Sequence, residues 1–174
     1  MSFPLRHPSP LPLARVSAPL DRLRSLLPAI AARAAALDED GAFPEEDIAA
    51  LEAEGLLRAP LPRGEGGEGW GTTPDGAAPL CLALRLLGRA SLPLGRLYEG
   101  HVNAVRLVLR RGSPAQARRA ARDLRARRLF GVWNTDPPPA SGEALLALDG
   151  GGVLQGRKVL CSGAGRVARA LVTT

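Results

Sequence analysis

Few residues in this chain carry side chains that could do chemistry. His101 stands in Tyr98-Glu99-Gly100-His101-Val102-Asn103-Ala104, where an imidazole beside a carboxylate could be an acid–base pair or part of a metal ligand set. One His and one Glu are too few to hold a metal, and His7 falls in a proline-rich N-terminal stretch. A structural or ligand-contacting histidine is the first reading, with a catalytic one as the alternative. Cys81 and Cys161 are too few for a disulfide framework and lack metal-ligand spacing. No metal site is expected, and a reducing, cytoplasmic setting is. Cys161-Ser162-Gly163 is not a nucleophile elbow, because Leu160 stands where the first glycine belongs. Gly64-Glu65-Gly66-Gly67-Glu68-Gly69 has no Lys-Ser or Lys-Thr after it, and its glutamates would repel a phosphate. It reads as a flexible loop. These residues form no self-contained catalytic set.

Charge is the next signal. The net charge is +6, a balance that attracts nucleic acid, acidic surfaces and phosphorylated ligands. From Arg106 to Arg128 there are nine arginines and one acid, Asp123. A nucleic-acid surface is the sharp reading, yet no aromatic residue is interleaved for bases to stack on. The arginines alternate with Ala and Leu, as on the solvated face of an amphipathic helix. Of 23 basic residues only Lys158 is a lysine, and 20 Gly and 16 Pro accompany them. That bias toward Arg, Ala, Gly and Pro weakens any functional reading of arginine counts. Nucleic acid is therefore an unfavoured partner.

The elements that must position these residues change character along the chain. With 174 residues, 45% hydrophobic and 23% charged, the chain suits one compact domain or one domain and part of a second. Aromatics are only 3%, so the core must be built mainly of Leu, Val and Ala. Prolines at 4, 8, 10, 12 and 19 rule out an ordinary signal peptide. No apolar run approaches the roughly 18 residues of a membrane span. Residues 1–17 read as a poorly ordered lead-in. Leu20, Leu23, Leu26, Leu27, Ile30, Ala31 and Ala34 then share one helical face, with a kink or restart predicted at Pro28. Asp38-Glu39-Asp40-Gly41 ends that helix, and Pro44 with Glu45, Glu46 and Asp47 opens the next. Helices follow over Ala77 to Arg89, Leu94 to Arg111, and Ser113-Pro114 to about Arg128.

After Arg128 the periodicity shortens. Leu129 to Trp133, Ala144 to Leu148, Val153-Leu154, Arg157 to Cys161 and Ala168 to Thr173 are short apolar runs between Gly, Pro and Asp. They predict short antiparallel strands joined by tight turns. The fold class is thus α+β: an all-α domain over residues 18–128, then a β domain over 129–174. Four or five short strands barely close a sheet, and an edge ending at the terminus is expected of a chain cut inside a β domain.

Several segments in order resemble the acyl-CoA dehydrogenase family. Ala36-Leu37-Asp38, Gly41-Ala42-Phe43-Pro44 and Leu51 to Leu57 are similar to its helical opening, and Pro62 to Gly67 to its Pro-x-x-x-Gly-Gly loop. Leu86 to Arg96 resembles the next helix pair, with Tyr98 to Asn103 following as in one branch. Gly131-Val132-Trp133-Asn134-Thr135-Asp136-Pro137 resembles the entry to the middle β domain, and Leu154 to Gly163 its Gly-x-Lys-x-x-x-Thr/Ser strand. The resemblance implies a helical domain, a middle β-barrel (incomplete here) and a C-terminal four-helix bundle. It also implies FAD, oxidation of an acyl-CoA thioester at its α and β carbons, and assembly as a homo-oligomer. Trp133, Asn134 and Thr135, with Cys161 and Ser162, would line the flavin: Thr135 at the pyrimidine end and Ser162 near N5. The glutamate base of the family belongs to a region that these residues do not match. A flavin monooxygenase-like relative of the same fold is the alternative. Two departures stand out: Pro138-Pro139-Ala140-Ser141-Gly142-Glu143 replaces the family's Gly-Ser-Asp, and Leu160 its frequent tryptophan.

Overall fold

The computed structural model describes residues 18–174, so the lead-in read over residues 1–17 lies outside the described residues. Helix α1 (Ala18–Asp40) buries Leu20, Leu23 and Ile30. It runs unbroken through Pro28, where a kink or restart was expected. Pro28 is exposed, and the burial of Leu20, Leu23 and Ile30 carries the helix through although the proline removes one backbone hydrogen bond. Gly41, at φ +59°, ends it.

Helix α2 (Glu45–Ala53) has all three acids of its first turn where the helix dipole favours them. Asp47, fully buried, is bound by the Arg33 guanidinium of α1. The chain then turns through Leu56 and Leu57, both buried, into the glycine-rich segment. That segment is not the free loop its composition predicts. Glu68 and Trp70 donate their amides to the Ala59 carbonyl at 3.1 and 2.9 Å, and Gly69 donates to Leu61 at 2.8 Å. A Cβ on Gly67 would fall 2.1 Å from the Leu61 oxygen, so only glycine allows this close approach. The tight turn seats Trp70 in the core at 2% exposure.

Helices α3 (Ala77–Ala90) and α4 (Leu92–Arg111) cross where a Cβ on Gly95 would lie 2.9 Å from the Gly88 Cα. Ser91 caps α4 by accepting the Leu94 amide at 3.3 Å. Helix α5 (Pro114–Arg125) starts with a capping box between Ser113 and Gln116. It stops short of Arg128 because Arg127 takes a left-handed conformation, φ +64°.

Strand β1 (Phe130–Trp133) pairs in parallel with β4 (Arg169–Val172), Phe130 opposite Arg169 and Trp133 opposite Val172. This corrects the all-antiparallel expectation. Parallel neighbours need a long crossover, and residues 134–168 supply it. Strands β2 (Ala147–Leu148) and β3 (Leu154–Gln155) form an antiparallel hairpin inside that crossover. Residues 157–161, expected as a strand, contribute one bridge from Arg157 to Leu145 and then a turn in which Leu160 takes φ +54°. Among the described residues the strands form two separate two-stranded ladders, an open β region beside a closed helical body. No helix of the described residues is long and apolar enough to cross a membrane.

Candidate functional site

Strand β1 carries the chain out of the core. Phe130 is buried, Val132 and Trp133 are half-buried, and Asn134 and Thr135 are exposed. His101 fixes where the strand leaves. The Phe130 amide donates to its Nδ1 at 3.0 Å, so Nε2 carries the proton and donates to the Leu57 carbonyl at 2.7 Å. One imidazole thereby ties α4 to the turn after α2 and to β1. It is fully buried, and burial pushes its pKa down to about 4 against the pull of the Leu57 carbonyl. It is a neutral clasp, which is the structural of the two roles read for it. Tyr98, one turn earlier, donates its hydroxyl to the Leu56 carbonyl at 2.8 Å, and burial raises its pKa.

Beyond the clasp the structure brings the five candidate residues together. The Trp133 indole N–H donates to the Ser162 carbonyl at 3.1 Å, and the Val159 amide donates to the Thr135 carbonyl at 2.9 Å. Lys158 reaches the Asn134 carbonyl at 3.4 Å and the Thr173 hydroxyl at 3.2 Å. Cys161 sits half-buried over the Val159 carbonyl. Gly163, at φ +74°, tucks against Leu97, where a Cβ would meet Cδ2 at 3.0 Å. Residues 133–135 and 159–162, apart in sequence, thus meet through the Trp133–Ser162 and Thr135–Val159 hydrogen bonds, and Leu160 in the second segment is 83% exposed.

Two concavities flank this patch. A groove along α4, about 690 Å³, lies between α4, the segment from Pro62 to Thr72, and Val132 and Asn134. A second, about 600 Å³, is lined by Phe43, Cys161, Ser162, Gly163 and Arg166. Arg96 borders both, and a narrow crevice at Gly100, Val132 and Ser162 lies between them. Along α4 the polar side chains are linked. Arg96 pairs with Glu99, Asn103 donates to Glu99, and Arg106 donates to Asn103 at 3.2 Å. The sequence reading missed this rail, although its spacing of three and four residues marks one helical face.

The rest of the arginine run divides. Arg125 pairs with Glu65, Arg127 with Glu52 at 3.2 Å, and Arg128 with Asp123 at 3.0 Å. Arg169 of β4 also holds Asp123, at 2.7 Å, and that hydrogen bond keeps its carboxyl below the usual carboxylate range. Arg118 and Arg122 lie exposed on α5, and Arg119, also exposed, lines the concavity beside Asp123, Phe130 and Arg169.

The family model described as acyl-CoA dehydrogenase, N-terminal domain, matches residues 23–126. No curated protein sequence matches the chain. Among solved structures, FMN-bound TdsC from Paenibacillus sp. A11-2 superposes with a TM-score of 0.69 at 22% identity, over 90% of this chain and 39% of that one. A nitrososynthase from Micromonospora carbonacea var. africana superposes at 0.68 and 28% identity, over 95% and 43%. KijD3, solved with FMN and a dTDP-linked amino sugar, gives 0.66 and 25%, over 93% and 42%. The chain therefore spans about two-fifths of the length of these structures.

Proposed function

Because the chain belongs to the acyl-CoA dehydrogenase family by its match over residues 23–126, we propose that it is the part of a flavin-dependent oxidoreductase that grips one side of the cofactor. The observation that carries this reading is the Trp133–Ser162 hydrogen bond, which joins the two segments expected to line the ring. The patch suits a flavin chemically. A flat ring system with one polar edge needs an apolar contact and hydrogen-bond donors, and Leu160, Thr135 and Ser162 offer these. In this reading the Thr135 hydroxyl binds the pyrimidine edge and Ser162 stands near N5. Trp133, Asn134 and Cys161 shape the wall behind them. When bound, the flavin supplies the two-electron redox chemistry; the chain binds it, orients it and keeps water from its covered face.

The identity of the flavin and its substrate are finer readings. The sequence resemblance favours FAD and the α,β-oxidation of an acyl-CoA. FMN in the KijD3 and TdsC structures favours FMN instead. A specific observation supports the second reading, a monooxygenase-like relative acting on a polar substrate. The groove beside the patch sets Arg96, Glu99, Asn103, Arg106 and Arg110 among Pro62, Leu107, Leu109 and Val132, so a substrate with polar groups finds partners there that a bare hydrocarbon chain would leave unused.

The test is titration of FMN and of FAD into the purified chain, read by flavin fluorescence. Binding is expected, weakened roughly tenfold by Thr135→Val or Ser162→Ala, since each deletes one hydrogen bond of about 1.4 kcal/mol. Flavin that stays free at millimolar chain, or binding indifferent to both substitutions, would overturn the assignment. Whichever nucleotide binds more tightly decides between FMN and FAD.

A further inference from the structure

Lys158 is the single lysine among 23 basic residues, and its surroundings explain why an ammonium stands there. Its side chain is 6% exposed. The ammonium donates to acceptors from two other segments: the Asp136 carboxylate at 2.5 Å, the Asn134 carbonyl at 3.4 Å and the Thr173 hydroxyl at 3.2 Å. Asn134 and Thr173 are the first residues past β1 and β4, whose last pair is Trp133 opposite Val172. Lys158 thus closes the end of the parallel ladder where β1 gives way to the candidate site. Three donors on one nitrogen suit three acceptors converging on a point. A guanidinium is a planar fork that spreads its donors over three nitrogens.

The segment that Lys158 holds lacks the support of a regular element. Asn134, Thr135 and Asp136 are exposed and belong to no helix or strand, and Pro137, Pro138 and Pro139 follow with no amide to donate. The Thr135 carbonyl accepts the amide of Val159, the residue next to Lys158, at 2.9 Å. Both neighbours of Thr135 and its own carbonyl are therefore tied to residues 158 and 159. We propose that Lys158 is a positioning residue of the flavin site: it fixes residues 134–136, and through them the Thr135 hydroxyl, while neutralising the adjacent Asp136 carboxylate. Its three N–H donors are matched by three acceptors of the protein, so it acts through Thr135 and not by binding the cofactor itself. The proposal rests on the reading of Trp133 to Thr135 as part of the cofactor face.

The experiment is a double-mutant cycle on the purified chain, read by FMN and FAD fluorescence, with amide exchange as an independent arm. Lys158→Met removes the ammonium and keeps an apolar stem. It should weaken flavin binding about tenfold, the same loss as deleting the Thr135 hydroxyl. In that background Thr135→Val should cost less than about twofold more, because the hydroxyl it removes is already misplaced. Lys158→Arg keeps the charge and should fail to restore binding. Arg157→Met, which removes the neighbouring cation paired with Glu143, should change affinity less than about twofold. Exchange of the Val159 amide should accelerate about tenfold in both Lys158 variants, while circular dichroism melts report that the helical body is retained. Additive losses from Lys158→Met and Thr135→Val would mean that the lysine does not act through Thr135, and would overturn the proposal. So would full rescue by arginine, an equal loss in Arg157→Met, or wild-type exchange at Val159 in the methionine variant. Accelerated exchange in a chain that binds neither flavin would leave Lys158 as the holder of residues 134–136 and sink the reading of the cofactor face.

Discussion

The helical body and the strand region share β1, yet different forces hold them. Among the described residues, every buried hydrophobic side chain of the core lies between Leu20 and Phe130. In the hairpin region Leu145 and Leu148 are 62% and 60% exposed, and Val153 and Leu154 are exposed too. What orders the hairpin is local turn chemistry. The Asp149 carboxylate accepts the Gly151 and Val153 amides at 2.9 and 2.8 Å, an Asx-type turn. The helices bury their apolar faces mainly within residues 18–130, with Val132, Val167 and Leu171 packed against that core, whereas the hairpin strands β2 and β3 present apolar surface outward. Global stability should therefore follow the body, and the candidate patch should be adjustable with little effect on it.

Trp70→Ala tests the body most severely. The indole is nearly inaccessible and seated only because the glycine segment turns back onto Ala59 and Leu61. Truncation of a buried Trp costs about 3–5 kcal/mol. Urea unfolding should show that loss in midpoint, and a loss below about 1 kcal/mol would mean that the core is not where the comparison puts it.

The clasp at the boundary comes next. In the unfolded chain His101 titrates near 6.5; in the fold burial holds it at about 4. The unfolded state therefore binds a proton first as pH falls. The stability contributed by neutral His101 is complete above pH 6.5 and is lost between there and about pH 4, by about 3 kcal/mol. His101→Gln should lower stability at pH 7 by about 2 kcal/mol, because the Leu57 carbonyl and Phe130 amide lose their shared partner. It should also flatten the slope between pH 6.5 and 4. A wild-type slope that survives the substitution would assign the effect to other groups.

Much of the helical body is legible in the sequence because its punctuation is local. Pro44 with three following acids, Gly41, Gly112 and Ser113-Pro114 mark helix ends through caps and dipoles within a turn of themselves. The glycine segment misleads because its order comes from carbonyls of Ala59 and Leu61, a partnership that composition does not encode. The parallel β1–β4 pairing misleads for a related reason: its register depends on the whole excursion over 134–168. For the candidate site, family resemblance singles out Trp133 to Thr135 and Cys161-Ser162, and the fold joins the two segments through the Trp133–Ser162 hydrogen bond. The α4 rail is obscured by the abundance of arginine, which lets Arg96 and Arg106 pass as ordinary surface charge.

Trp133→Phe sharpens the comparison from the other side of the boundary. It keeps the ring and deletes one hydrogen bond, to Ser162. Global unfolding should move by no more than about 1 kcal/mol. Amide exchange of residues 159–164 should accelerate up to about tenfold, since that turn loses its tie to β1. Unchanged exchange would mean that backbone bonds alone fix the patch.

The smallest effect is expected in the hairpin itself. Leu148 and Leu154 face each other across β2 and β3, both exposed. Changing either to Ser removes apolar surface that water already reaches, so the transfer gain is small and the loss of strand propensity is of similar size. Unfolding midpoints should shift by no more than about 0.5 kcal/mol in either direction. A loss above about 1.5 kcal/mol would require these leucines to be covered in solution. The two regions would then be held by the same force after all, with the outward apolar face of the hairpin serving as a contact surface.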